Sequence, residues 1–156
     1  MKKLAVLSCL VLVGLVVGAG PAVAEKPPTK TFVVVMTAAQ EVPLCAVADR
    51  TDHGVAIFHV LNEAQGTVAY MLVSTNLPGD LTAAHIHLAP VGVPGGVVQP
   101  LPLRPGVQKG VIGFGSFDNV DLLDALRTTP SGYYVNVHTS AETGGCPPGV
   151  IRGQFG

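Results

Sequence analysis

Ala83-Ala84-His85-Ile86-His87-Leu88, answered later in the chain by Tyr133-Tyr134-Val135-Asn136-Val137-His138-Thr139, is the pair of stretches on which the fold turns. Alternate side chains of an extended strand share a face. His85 and His87 therefore point one way while Ala84, Ile86 and Leu88 point the other. In the second stretch Val135 and Val137 face a core, and Tyr134, Asn136 and His138 line the opposite side. Each stretch is thus a strand with one apolar and one polar face, and their three imidazoles can converge on one site.

Working outward, Thr31-Phe32-Val33-Val34-Val35-Met36 is short and rich in β-branched residues, which predicts a strand buried on both faces. Residues 54–61 and 66–74 alternate as two strands joined through Asn62-Glu63-Ala64-Gln65-Gly66, a hairpin turn by residue type. Leu77-Pro78-Gly79-Asp80 turns the chain into the His85/His87 strand, and a Gly/Pro loop over 90–96 leads into Val97-Val98. Residues 100–110 read as irregular and 111–117 as a short strand. Asp118 or Asn119 caps the one helix, Val120 to Arg127, with Leu122, Leu123 and Leu126 on a shared face, and Pro130 and Gly132 stop it. Residues 133–139 and 150–155 complete seven or so strands. The predicted fold is all-β, an antiparallel Greek-key-like β-sandwich with one short helix.

The N-terminus carries Lys2 and Lys3, an apolar run from Leu4 to Val17, and Ala22-Val23-Ala24 as a small-x-small cleavage site. This is the pattern of a secretory signal over residues 1–24. Gly14, Gly18, Gly20 and Pro21 cut the run short of the roughly 20 apolar residues of a membrane span. After cleavage, residues 25–30 with Pro27-Pro28 form a linker and 31–156 one domain. Loss of the two lysines leaves 7 basic against 10 acidic residues and moves the formal charge from −1 to −3. No basic patch interleaved with aromatics is present, which gives nucleic-acid binding no electrostatic support. The expected location is secreted or extracytoplasmic, periplasmic or at the cell surface, with an extracellular protein or envelope ligand as partner and no membrane span after cleavage.

Cys9 goes with the signal, leaving Cys45 and Cys146, each in a Pro-containing loop. In an exported chain an even pair reads as one disulfide. Two separate thiols are the alternative.

Four ordered motifs identify the chain as similar to a known family. Gln40-Glu41-Val42-Pro43, Ala84-His85-Ile86-His87, Tyr134-Val135-Asn136-Val137-His138-Thr139 and Ile151-Arg152-Gly153-Gln154 resemble the CHRD (chordin-type) domain in the form found in exported bacterial proteins, and the likeness covers residues 31–156. It implies a secreted β-sandwich module with no established enzymatic activity. Val150 stands where the family usually has an acidic residue, and Cys146-Pro147-Pro148 is inserted upstream.

His-x-His on a strand with a third His is ligand geometry for zinc or copper, so His85, His87 and His138 are candidate metal ligands. The alternative is a polar plug in which the same imidazoles bond to loop carbonyls beside Asn136 and Thr139. A copper–zinc dismutase site needs further His ligands after the His-x-His, and residues 88–137 contain none. Glu41 and Arg152, both flanked by apolar residues, are expected to form a buried ion pair joining the first and last strands, since an unpartnered buried charge is very costly. Arg152 as an anion site is the functional alternative. A nucleophile elbow, a Cys-His pair at catalytic spacing and a phosphate loop are all missing from the sequence. It therefore favours a non-enzymatic binding or matrix module, with a metal-binding protein, up to a metalloenzyme, as the second reading.

Overall fold

The computed structural model describes residues 28–49 and 51–156; the expected signal and most of the expected linker lie outside them. Eight strands follow in chain order: β1 (Thr31–Thr37), β2 (His53–Asn62), β3 (Thr67–Ser74), β4 (Leu81–Leu88), β5 (Gly96–Pro100), β6 (Gly110–Asp118), β7 (Tyr133–Thr139) and β8 (Ile151–Gln154). One α-helix, α1 (Val120–Thr128), lies between β6 and β7. Asn119 caps it, its side chain accepting from the Leu122 amide, so the second of the two expected caps is the one used.

The strands form one antiparallel sheet in the order β5-β4-β7-β8-β1-β2-β3-β6. The fold is all-β and antiparallel with one short helix, as expected, and its strands belong to one curled sheet. Two four-stranded halves, β5-β4-β7-β8 and β1-β2-β3-β6, are hydrogen-bonded into one sheet, the β1–β8 pairing being registered at Thr37 opposite Arg152. Gly153 permits this junction, because a Cβ there would run into the Val35 carbonyl of β1. The sheet curls so that the inner faces of both halves share one core. Val34, Met36, Phe58 and Leu72 come from one half and Ala84, Ile86, Val135, Val137 and Ile151 from the other, with Leu122, Leu123 and Leu126 of α1 in the same cluster.

Alternation in β2, β3 and β7 places the residues as the sequence predicts, and two expectations need correction. Leu88 is 52 % exposed, because it ends β4 beyond the reach of the core that holds Ala84 and Ile86. Strand β1 is buried on one face alone: Val34 and Met36 are inside, whereas Val33 and Val35 are 59 % and 58 % exposed. The register continues these two exposed positions across the sheet as apolar rows, Val33–Ile57–Met71–Phe114 and Val35–Val55–Val73–Val111. An unbroken apolar run predicts two-sided burial, yet nothing among the described residues covers this outer face as it does in β7. The loop after β1 also contains a cis peptide at Val42-Pro43.

Cys45 and Cys146 form the expected disulfide, with their Cα atoms 5.8 Å apart across 101 residues of sequence. It joins the loop after β1 to the loop before β8, the two segments flanking the junction of the halves. Closing a loop of this size stabilises by up to about 4.7 kcal/mol in the chain-entropy model. Thiol titration of the unfolded, unreduced mature protein should accordingly find no free thiol. The Cys45→Ala/Cys146→Ala double variant should lose several kcal/mol in chemical denaturation, up to about that limit.

Candidate metal centre

The register of β4 and β7 builds the site. His85 stands opposite Asn136, His87 opposite Tyr134 and Ala83 opposite His138. On the far side of β7, Asn136 faces Arg152 and Tyr134 faces Gln154. All seven polar side chains therefore share the face of the sheet turned away from the core. His138 is one step diagonal from His85, and the imidazoles still meet: ring centroids are 5.0 Å apart for His85–His138, 5.5 Å for His85–His87 and 5.8 Å for His87–His138. One nitrogen from each ring lies within 4.8 Å of the other two.

Loop carbonyls set the proton on two of the rings. His87 Nδ1 donates to Gly95 O at 2.9 Å and His138 Nδ1 donates to Pro147 O at 2.8 Å. Because a carbonyl can only accept, both imidazoles carry their proton on Nδ1 and keep a lone pair on Nε2. His138 Nε2 meets His85 Nδ1 at 3.1 Å. His87 Nε2 is buried and has no hydrogen-bond partner. A buried acceptor without a partner is costly and calls for an explanation.

Burial also settles the charge. It drives the His85 pKa down to about 4, helped by the neighbouring His138 and His87. Burial likewise lowers His87 and His138, opposed in each by the hydrogen bond to its loop carbonyl. The cluster is neutral at physiological pH, the form in which imidazole ligates a metal.

A second polar layer supports the first. The Tyr134 ring stacks on His87 at 4.8 Å between centroids and 8° between planes, and its hydroxyl accepts from the Gly95 amide at 3.0 Å. The Arg152 guanidinium lies 3.5 Å from the Tyr134 ring centroid and donates to Pro90 O and Val93 O, both at 2.9 Å, and to Gln154 Oε1. Gln154 in turn donates to Ala89 O and Ser131 O.

The direct Glu41–Arg152 pair is not formed. Both side chains are buried, at 2 % exposure each, but the carboxylate accepts two hydrogen bonds from Asn136 Nδ2, at 2.8 and 3.0 Å, while the guanidinium donates to two loop carbonyls and to Gln154 Oε1. Among the described residues the ion pair found is Arg127–Glu63 at 2.7 Å, on the surface. Arg152 acts on Glu41 through its field alone: burial raises the Glu41 pKa to about 7 against the opposing pull of Arg152 and Asn136. Gly149 lets the chain pass here, since a side chain on it would strike the Asn136 amide and the Glu41 carboxylate.

The structure thus brings His85, His87 and His138 together, places Glu41 and Arg152 on the same polar face without contact, and leaves His53 and His59 outside, bonded to Thr51 O and Thr31 Oγ1. Sequence reasoning did not find the roles of Gly95, Pro147 and Gln154. For Gly95 and Pro147 the signal was present as a Gly/Pro loop following each His strand.

Curled antiparallel sheet and loop-covered imidazole cluster together define a small β module with three imidazoles gathered at one place on its polar face. The chain belongs to the CHRD family, whose domain model matches residues 32–155. No curated protein matches it, and neither does any solved structure.

Two outcomes follow from the charges. A histidine whose folded pKa is depressed contributes stability that is complete above the unfolded value of 6.5 and is lost as pH falls towards the folded value, here about 4. The stability difference between wild type and His85→Gln should therefore move against wild type as pH drops from 6.5 to 4. Glu41, raised from 4.5 to about 7, has the opposite sign and is common to both proteins, so the comparison isolates His85. For Arg152→Ala, two carbonyls lose their donor, at about 1–3 kcal/mol each, and urea denaturation should show a loss of that order for each.

Proposed function

We propose that this chain is an exported, non-enzymatic binding module of the CHRD family that takes one transition-metal ion, zinc or copper, through His85, His87 and His138. Its compartment is extracytoplasmic, periplasmic or at the cell surface. There the bound site would present the module to an extracellular protein or envelope ligand. Membership of the family supports the module role, and the disulfide fits an oxidising compartment.

The observation that carries the metal reading is the buried, partnerless His87 Nε2 beside two further imidazoles whose nitrogens lie within 4.8 Å. Nitrogens sharing one tetrahedral ion with bonds of about 2.0–2.1 Å sit about 3.3 Å apart. The 3.1 Å between His85 Nδ1 and His138 Nε2, a hydrogen bond in the metal-free cluster, is close to that. The Nδ1–H bonds to Gly95 and Pro147 are the outer contacts that orient metal-bound histidines elsewhere. Three neutral nitrogen ligands suit zinc or copper and leave a position open on the ion.

Untagged mature protein should carry close to one equivalent of zinc or copper by elemental analysis. Calorimetric titration of the metal-stripped form should give a saturating one-site isotherm that His87→Ala abolishes. Equal heats for the two proteins would leave the hydrogen-bonded plug as the function of the cluster.

A further inference from the structure

We infer that Tyr134 is the positioning residue of the imidazole site, holding His87 in the single tautomer and ring plane that expose Nε2 to His85 and His138. The inference rests on the metal reading above for its consequence and on geometry alone for its cause.

Three contacts converge on one ring. The face of Tyr134 lies flat on His87, at 4.8 Å and 8°, which fixes the imidazole plane. The Tyr134 hydroxyl accepts from Gly95 N, and Gly95 O accepts from His87 Nδ1. One glycine peptide thus relays the hydroxyl's position to the protonated nitrogen of the ligand. Arg152 packs at 3.5 Å from the Tyr134 centroid and ties down Pro90 and Val93 of the loop that carries Gly95, while Gln154 ties down Ala89. Ring, loop and imidazole therefore form a closed circuit with no free rotor. Tyr134 is 3 % exposed and His87 7 %, so water does not offer either nitrogen of His87 a ready substitute for these contacts.

Without the hydroxyl, the Gly95 amide loses its acceptor and the loop carbonyl is free to shift from His87 Nδ1. The imidazole proton then redistributes to Nε2, and the lone pair turns away from the other two rings. A tautomer error of this kind disables a ligand without removing it. Stacking and burial would survive Tyr134→Phe, which separates positioning from packing.

The test uses metal-stripped, full-length mature protein and its Tyr134→Phe variant. Long-range proton–nitrogen NMR of the imidazoles reads the His87 tautomer directly, with no metal present. Wild type should show His87 protonated on Nδ1 alone, and Tyr134→Phe a mixture, at a backbone spectrum otherwise preserved. Zinc affinity by competition with a chromophoric chelator should fall by about 10–100-fold, the usual effect of losing an outer contact to a metal ligand. A pure Nδ1–H tautomer and unchanged affinity in Tyr134→Phe would overturn the inference. A shifted tautomer in a pair of proteins that both ignore zinc and copper would uphold the positioning role and sink the metal reading instead.

Discussion

A buried guanidinium sits at the join of the two half-sheets, and the arrangement of the polar face depends on it. Arg152 is paired with Thr37 across the β1–β8 seam and with Asn136 across β8–β7. It is 2 % exposed and cannot shed its charge. A charge removed from water must be surrounded by acceptors, and here the acceptors are backbone carbonyls of the 89–95 loop. Solvating Arg152 is thus the same act as folding that loop over β4 and β7. The loop in turn delivers the Gly95 carbonyl to His87, so a solvation requirement in the last strand reaches the imidazoles of the fourth.

Glu41 shows the complementary solution. Its carboxyl enters from the turn after β1 and settles on the Asn136 amide, while the guanidinium donates to the loop carbonyls. The remaining distance weakens the attraction, so burial dominates and the carboxyl is held near neutrality, at about 7. Cys146 lies in the loop opposite, tied to Cys45, and the Pro147 carbonyl beside it serves His138. Each His strand is therefore roofed by one loop, one pinned by a cation and the other by a covalent bond.

Period-two alternation made the strands and the imidazole face legible, because a slip of one residue would have put Ile86 and Val137 in the polar layer and the histidines in the core. The disulfide was legible from number and compartment. Other features were hidden for identifiable reasons. Val33 and Val35 look like core residues in sequence, and only the outer rows of Ile57, Met71 and Phe114 show that their face is uncovered. Glu41 and Arg152 satisfy the chemical requirement for pairing, but a guanidinium is equally content with carbonyls, and carbonyls leave no mark in a sequence. The same blindness concealed Gly95 and Pro147, which act through main-chain oxygen. The joining of all eight strands in one hydrogen-bonded sheet was hidden because the seam at Thr37 and Arg152 carries no residue pattern of its own.

The depressed proton affinity of His85 has a bearing on the surroundings in which the pocket can work. An ordinary surface histidine becomes cationic around pH 6.5, and any ion it holds must then compete with hydrogen ions for the lone pair. Burial has already excluded the hydrogen ion from this pocket, down to about pH 4 at His85. An ion taken up as proposed would displace next to no hydrogen ion at neutrality, since moderate acidification leaves His85 neutral. The neutral state of His85 is thereby uncoupled from small swings in ambient acidity, because the group takes up its proton only near pH 4.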